Sequence, residues 1–265
     1  RGYGEENDFC QRAMKAGWKN LITPNLYAYH EGGVSFSSDK IALVENAVRV
    51  IDELHPNYHS DVQRFIMHDP LRGARVERHV KLLAALRVPK ILHVSHGIGG
   101  GVGQHIEELA DHLGNRAASL MLAPSARDRG FLLTLGVGVN ADRLEFLAEE
   151  YSSLLNFLRS AAVSAVHVHH TLGFQTQILR LLHDLQVPYL ATVHDYYWLG
   201  GNPTLTSEDG LFSGDYSDEL SNSLYPLPNG ETPATWRDSL RPLLECAEVI
   251  IFPSIETRRL FGEYW

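Results

Sequence analysis

Cysteine is nearly missing from this chain of 265 residues: Cys10 and Cys246 stand far apart, and no Cys-x-x-Cys spacing occurs. Free thiols in a reducing compartment are the expectation, and a disulfide framework is not. Long apolar runs are missing too. No stretch approaches about 18 uninterrupted apolar residues, so no membrane span is expected. Positive charge is in deficit, with 23 Lys and Arg against 32 Asp and Glu and a formal net charge of −9. That balance argues against a general grip on nucleic acid, which wants clustered Lys and Arg. Anionic small molecules can still be held locally at helix N-termini. No Gly-Lys-Ser or Gly-Lys-Thr follows any glycine loop, which argues against a P-loop kinase or ATPase. The start has neither an initiator Met nor a basic-then-apolar leader, and Arg1-Gly2-Tyr3-Gly4 reads as mid-domain sequence. A processing boundary is the expectation there.

What is present is ordinary globular material, 44% hydrophobic and 21% charged. The length suits one large domain, or a medium domain with an appendage. Residues 1–54 hold a Gly-rich turn, an acidic helix start at Glu5-Glu6-Asn7-Asp8 and a stop at Gly17. Short extended pieces at 21–24 and 26–30 and a second helix over 38–54 follow. This segment is too small to hold a comfortable core of its own. Residues 55–88 read as a helical linker, with runs over 58–67 and 74–86 between breaks at His55-Pro56-Asn57 and Asp69-Pro70. Phe65, Ile66, Leu82, Leu83 and Leu86 are expected to be buried against a neighbour.

From Pro89 apolar strands alternate with helical patterns to the end of the chain. Strands are expected at 90–96, 119–122, 131–135, 165–169, 189–193 and 249–252. Helices are expected at 102–113, 141–161, 174–185 and 233–247. Two-sided apolar strands separated by helices predict an α/β domain, a Rossmann-like parallel sheet with helices on both faces, over 89–265. Residues 200–230, rich in Gly, Ser, Asn, Asp and Pro, form a long irregular excursion near the carboxyl edge of that sheet, a length that usually signals function or mobility. There is no internal repeat.

Open parallel sheets bind ligands beyond the carboxyl ends of their strands. Those ends are Ser95-His96-Gly97, His169-His170-Thr171, His194-Asp195 and Pro253-Ser254, which deliver imidazoles, a carboxylate and hydroxyls to one edge. A single buried His is most often structural. Three such strand ends together favour a site. The loop containing Gly99, Gly100, Gly101 and Gly103 lets backbone N–H groups approach a phosphate or sugar hydroxyl at a helix N-terminus, although a plain tight turn explains it as well. His167, His169 and His170 invite a zinc reading, with Asp195 the only evident carboxylate beside them. Alternation puts His167 and His169 on one face of their strand. The acidic cluster at Glu5–Asp8 serves the helix dipole or, with His30 downstream, supplies a general base beside a metal-binding imidazole.

Gly4-Glu5-Glu6-Asn7-Asp8-Phe9-Cys10-Gln11-Arg12 with Ala16-Gly17-Trp18, Pro24, Tyr29-His30 and Gly32-Gly33-Val34-Ser35-Phe36 resembles the end of a family 2 glycosyltransferase. The resemblance implies a GT-A-fold inverting module in which Glu6, or else Glu5, deprotonates the acceptor. Asp8 and Arg12 would brace the helix, and His30 would help hold a divalent Mg or Mn on the donor diphosphate once the module is complete. The nucleotide-binding half with its Asp-x-Asp motif is not in this sequence. Ile91-Leu92-His93-Val94, Gly99–Gly103, Val166-His167-Val168-His169-His170, Val193-His194-Asp195-Tyr196-Tyr197-Trp198 and Phe252-Pro253-Ser254 are similar to the N-terminal, acceptor-side half of family 4 glycosyltransferases. These are GT-B-fold retaining enzymes.

By that likeness the glycine loop, His96, His169, His170 and Ser254 face substrate. His194 would contact the transferred sugar, and Asp195 would orient it or the acceptor, with no cofactor. The donor-binding partner, which carries an E-x7-E signature in relatives, is expected beyond Trp265. Relatives often have several cysteines in the stretch matching 200–230, and this chain has none there, so no role is carried over to that loop.

The two likenesses stand in the order found in tandem bacterial enzymes of O-antigen or capsule synthesis. They imply a hexosyltransferase fragment, inactive alone, whose partners are a nucleotide-sugar donor and a glycan or lipid-linked glycan acceptor. A cytoplasmic location follows from that likeness, with peripheral association at the inner membrane face through a lipid-linked acceptor. Nothing in the sequence fixes an oligomeric state. Two rival readings remain: a metal-dependent hydrolase with His169, His170 and His194 as zinc ligands, and a non-catalytic scaffold.

Overall fold

The computed structural model describes residues 4–23, 26, 29, 40–126, 130–138, 141–174, 177–207, 210–212 and 225–264. The chain divides into two compact units, Arg1–Arg78 and His79–Trp265. The first unit holds α1 (Glu5–Lys15), α2 (Lys40–Leu54), α3 (Tyr58–His68) and the start of α4 (Arg72–Ala85). Acids at Glu5, Glu6 and Asp8 sit in the first turn of α1, where they complement its dipole, and Arg12 and Lys15 occupy the last. Buried His55 ties the end of α2 back to α1. Its Nδ1 accepts from Lys15 Nζ at 3.0 Å, so Nε2–H donates to Asp8 Oδ1 at 2.9 Å. Arg12 Nε donates to the other oxygen of Asp8 at 3.0 Å.

The expected burial of the linker leucines and aromatics is not observed. Phe65, Ile66, Leu82 and Leu86 are exposed, and Leu83 is only half-buried. Helical spacing lines such residues into a stripe, yet it supplies no surface to cover them, and α3 buries no residue. Leu21–Thr23 is irregular rather than extended, and most of the expected 26–30 piece lies outside the described residues.

The second unit is built on β1 (Lys90–Val94), α5 (Gly100–Leu113), β2 (Ala118–Pro124), β3 (Phe131–Leu135), β4 (Asp142–Phe146) and α6 (Tyr151–Ser160). It continues through β5 (Ala165–Val168), α7 (Gln177–Leu185), β6 (Tyr189–Thr192), α8 (Tyr197–Gly200), α9 (Pro233–Glu245), β7 (Val249–Ile251) and α10 (Ile255–Tyr264). The seven strands lie in the order β4-β3-β2-β1-β5-β6-β7. From β2 to β7 all neighbours are parallel, while β2–β3 and β3–β4 are antiparallel.

That corrects the sequence reading in two places: β3, expected in a parallel sheet, pairs antiparallel, and β4 was expected to be the start of a helix over 141–161. Asp142-Arg143-Leu144-Glu145-Phe146 buries Leu144 and Phe146 and leaves the residues between them outward, a period of two that a strand needs. The helix begins only at Tyr151, where Leu154, Leu155 and Leu158 provide the 3.6 spacing.

Leu92, Val94, Leu120, Leu122, Leu133, Val166, Val168 and Ala191 are fully enclosed in the sheet. Each buried Leu or Val side chain contributes on the order of 1.5–3 kcal/mol. The chain leaves β1 toward β2 but leaves β5 toward β6, so the winding reverses between β1 and β5. Right-handed crossovers then place α5 on one face and α7 and α9 on the other. Both thiols, half-buried Cys10 and exposed Cys246, are free.

Candidate functional site

The carboxyl ends of β1 and β5 part at the reversal, and the loops leaving them form the site. After β1 the chain turns sharply at Gly97, where φ is 72° and an added Cβ would stand 2.8 Å from the Ala123 methyl. Only glycine fits there. Gly99 and Gly100 also take positive φ and lead into α5, whose first turn contains Gly101 and Gly103. A Cβ on any of these four would meet nothing within 4 Å, so the backbone over this helix start faces open space.

Two clefts meet at His96. The larger, about 600 Å³, is walled by His96, His170, Asp195, Tyr197 and Trp236, and by Tyr225–Pro228 from the long excursion. The smaller, about 260 Å³, runs under the glycine loop past Gly99, Gly103, Thr134 and Arg143.

Local hydrogen bonds fix the polar groups of the larger cleft. Ile98 N–H donates to His96 Nδ1 at 3.0 Å, and Leu172 N–H donates to His170 Nδ1 at 3.0 Å, so each ring carries its proton on Nε2. His170 Nε2 then faces Asp195 Oδ2 at 3.3 Å, while Asp195 Oδ1 accepts from Tyr197 N–H at 2.9 Å. Burial, then the neighbouring His170, lowers the pKa of His96, with Asp195 opposing. Burial, then Asp195, holds the Tyr197 phenol above its ordinary range. Helix α8 is pinned from three sides. Trp198 Nε1 donates to Thr171 Oγ1 at 3.0 Å, Trp236 Nε1 to Tyr197 O at 3.0 Å and Arg237 Nη1 to Leu199 O at 3.0 Å. Gly201, at φ 83°, lets the chain pass where a Cβ would stand 2.4 Å from Leu227 Cδ2.

The other imidazoles gather on the α5 face. His93 and His167 are register partners on β1 and β5, and the rings of His167 and His169 lie 3.8 Å apart on the face that alternation assigns them. His93 Nδ1 lies 3.1 Å from His169 Nε2, and His169 Nδ1 lies 3.1 Å from His194 Nε2. His93 Nε2 ends the row 3.3 Å from Ser119 Oγ, and His167 Nε2 meets Thr192 Oγ1 at 2.7 Å. His105 of α5 covers the outer end, 5.0 Å from His194 and 5.6 Å from His169 between ring centroids. Burial first, and crowding by other imidazoles second, pushes His93 and His194 down to about 4 and His167 to about 3. His169 is lowered further for the same reasons. Among the described residues two groups could hold a metal: His93, His167 and His169, and His105, His169 and His194.

Of the residues singled out in the sequence, His96, His170 and Asp195 share the larger cleft, and Gly99 and Gly103 line the smaller. His169 and His194 line neither and belong to the imidazole row. Ser254 lies elsewhere, in a cavity of about 870 Å³ beside Ile250, Phe252 and Phe261, and its Oγ accepts from Thr257 N–H at 3.0 Å at the start of α10. Glu6 is exposed on α1 in the first unit, and His30 lies outside the described residues. The zinc set proposed from sequence is not assembled, because His170 turns to Asp195 and His105 takes its place. Sequence reading passed over His105, which carries no local signal because sheet order alone brings it to the site. Tyr225–Pro228 belongs to the 200–230 excursion expected near this edge, for which no residue roles were assigned.

A mostly parallel sheet that opens at its reversal onto a polar cleft beside a glycine-rich helix start defines a Rossmann-like domain of the kind that forms half of a GT-B sugar transferase. The model of Glycosyltransferase Family 4 matches residues 99–265, more than half of the chain, and the chain belongs to that family. Its substrates are accordingly a sugar donor and an acceptor, and the hydrolase and scaffold readings are not favoured. A search of curated proteins found no significant match. Among the described residues no helix is long and apolar enough to cross a membrane.

Proposed function

We propose that residues 89–265 are the acceptor-side half of a retaining hexosyltransferase that moves sugar from a nucleotide-sugar onto a growing cell-surface polysaccharide. The observation that carries the reading is the convergence of His96, His170 and Asp195 around one cleft next to the open backbone of the glycine loop. Sugar hydroxyls suit such a wall, because the His96 Nε2–H donates while the Asp195 carboxylate accepts. Tyr197 and Trp236 add flat apolar surface for a sugar face. Donor phosphate or sugar approaches Gly99–Gly103 at the N-terminus of α5, where the helix dipole favours negative charge. By the likeness to family 4 enzymes His194, which lines neither cleft, is assigned to the transferred sugar, and Asp195, held by Tyr197 N–H and His170, to orienting it or the acceptor. No metal enters this transfer.

Residues 1–54 belong, in the same reading, to the end of a GT-A module joined through a helical linker over 55–88. Glu6 would be its base, and Mg or Mn, held partly by His30, would act only in the complete module. Asp8 does make the bracing contacts to Arg12 and His55 that such a helix would use. The tandem order supports a bacterial O-antigen or capsule enzyme working in the cytoplasm, on an acceptor that is lipid-linked at the membrane face.

The test is His194→Ala in a complete enzyme containing these residues. Turnover of the family 4 module is expected to fall by about a hundredfold or more, as for loss of a transition-state contact. A near-normal rate would make His194 a structural residue and overturn its assignment.

A further inference from the structure

We propose that His105, His169 and His194 form a three-imidazole site for a late transition-metal dication of the zinc class, at the outer end of the imidazole row. One ring nitrogen from each residue lies within 4.8 Å of the others. The closest pair, His169 Nδ1 and His194 Nε2, is 3.1 Å apart. Metal–nitrogen bonds of about 2.0–2.1 Å put two tetrahedral nitrogen ligands about 3.3–3.4 Å apart, so this edge is already near its bound length. The third ligand has the freedom to close the gap. His105 is exposed on α5, whereas His169 and His194 are set by the ends of β5 and β6.

The outer shell is in place as well. Metal-binding histidines donate their second ring N–H to an acceptor, which fixes the tautomer. If His169 binds through Nδ1, its Nε2–H donates to His93 Nδ1 at 3.1 Å, and His93 Nε2–H then donates to Ser119 Oγ at 3.3 Å. One ordered row of tautomers thereby leaves His169 Nδ1 free of a proton; without a metal it accepts from His194 Nε2–H at 3.1 Å, and metal binding moves that proton to His194 Nδ1. The inner group of His93, His167 and His169 is less suited, because all three are buried and His167 Nε2 already meets Thr192 Oγ1 at 2.7 Å.

The donor set selects the ion. Three neutral nitrogens and no carboxylate favour Zn²⁺, Co²⁺, Ni²⁺ or Cu²⁺ over Mg²⁺, which wants oxygen. Asp195 does not complete the set, since its oxygens face Tyr197 N–H and His170. Exposed His105 marks the entry side, and a fourth position is left for water. The site stands on geometry alone and does not require the sugar-transfer reading. Where that reading also holds, ion and sugar contend for His194.

The experiment is a titration of the chelator-stripped chain with Co²⁺, read by visible absorption, followed by displacement with Zn²⁺. One ion per chain is expected, with the intense band of a low-coordinate nitrogen site and no competition from Mg²⁺. Loss of a partner bonded directly to a ligand typically costs about 10–100-fold in affinity, so Ser119→Ala, one bond further out, should cost less than that and His105→Ala more. His105 is exposed, so its replacement leaves the fold intact. His112→Ala, further along α5, should bind as the parent does. The proposal is overturned by absence of stoichiometric binding. Binding unchanged in His105→Ala, or lost equally in His112→Ala, would overturn it too. A failed titration leaves the transferase reading untouched, and a normal rate in His194→Ala leaves the metal site untouched.

Discussion

Asp8 shows how one side chain of the first unit ties local sequence to pH. Its pKa is lowered by the hydrogen bond from His55 first and by Arg12 after that. A carboxyl whose folded pKa is depressed adds stability above its unfolded value, near 3.9, and that contribution is lost as pH falls through the folded value. Helix α1 should therefore hold best at neutral pH and loosen below about pH 4. In Asp8→Asn the acid-dependent part should vanish. Urea unfolding followed through the α1 cross-peaks of an NMR spectrum would show parent and variant apart at pH 6 and converging toward pH 3. Curves that stay parallel across that range would mean that the His55–Asp8 contact does not hold α1. Because Asp8 is half-buried and still reached by water, the effect is read as a trend with pH rather than as an energy.

The elements differ in how far the sequence declares them. Strands β1, β5 and β6 were readable because each is a short apolar run ending in imidazoles or carboxylate, and the edge they create was readable with them. Strand β4 was not, because Leu144, Leu147 and Tyr151 stand at helical spacing and run on into α6, masking the period of two. What decides is the antiparallel pairing of Leu144 with Leu133 and Phe146 with Phe131, which no local pattern contains. His105 was missed for a similar reason, since its importance lies in what the sheet order places opposite it.

Helix α8 is a case where packing holds a segment too short to be stable on its own. Trp236 of α9 donates to Tyr197 O, and Tyr197 N–H in turn orients Asp195. Trp236→Phe keeps most of the ring but removes the donor, which should cost about 0.5–1.5 kcal/mol, because the Tyr197 carbonyl keeps its bond from Gly201 N–H at 2.7 Å. Faster amide exchange at Tyr197 should accompany the loss. Unchanged exchange there would show that α9 does not brace the cleft through this bond.

At the scale of the whole molecule, 265 residues supply only part of what the proposed sugar transfer needs. The described residues contain one sheet, and that sheet has one carboxyl edge. A GT-B enzyme works in a cleft between two such domains, and the family match covers this domain from the glycine loop onward. The proposed division gives acceptor and sugar contacts to this half and donor-nucleotide contacts to the other. It likewise gives residues 1–54 a base in Glu6 but no Asp-x-Asp motif, which the sequence lacks throughout. Catalysis of transfer depends on positioning donor and acceptor together, and effective molarity disappears when only one is held. Incubating the purified chain with a panel of UDP- and GDP-sugars should therefore release nucleotide no faster than buffer does, with or without Mn²⁺. The same chain should still bind acceptor glycans through the cleft at His96 and Asp195, seen as shifts confined to those residues and Tyr197. Robust nucleotide release would show that these 265 residues carry a donor site of their own, and the division of labour between the halves would have to be redrawn.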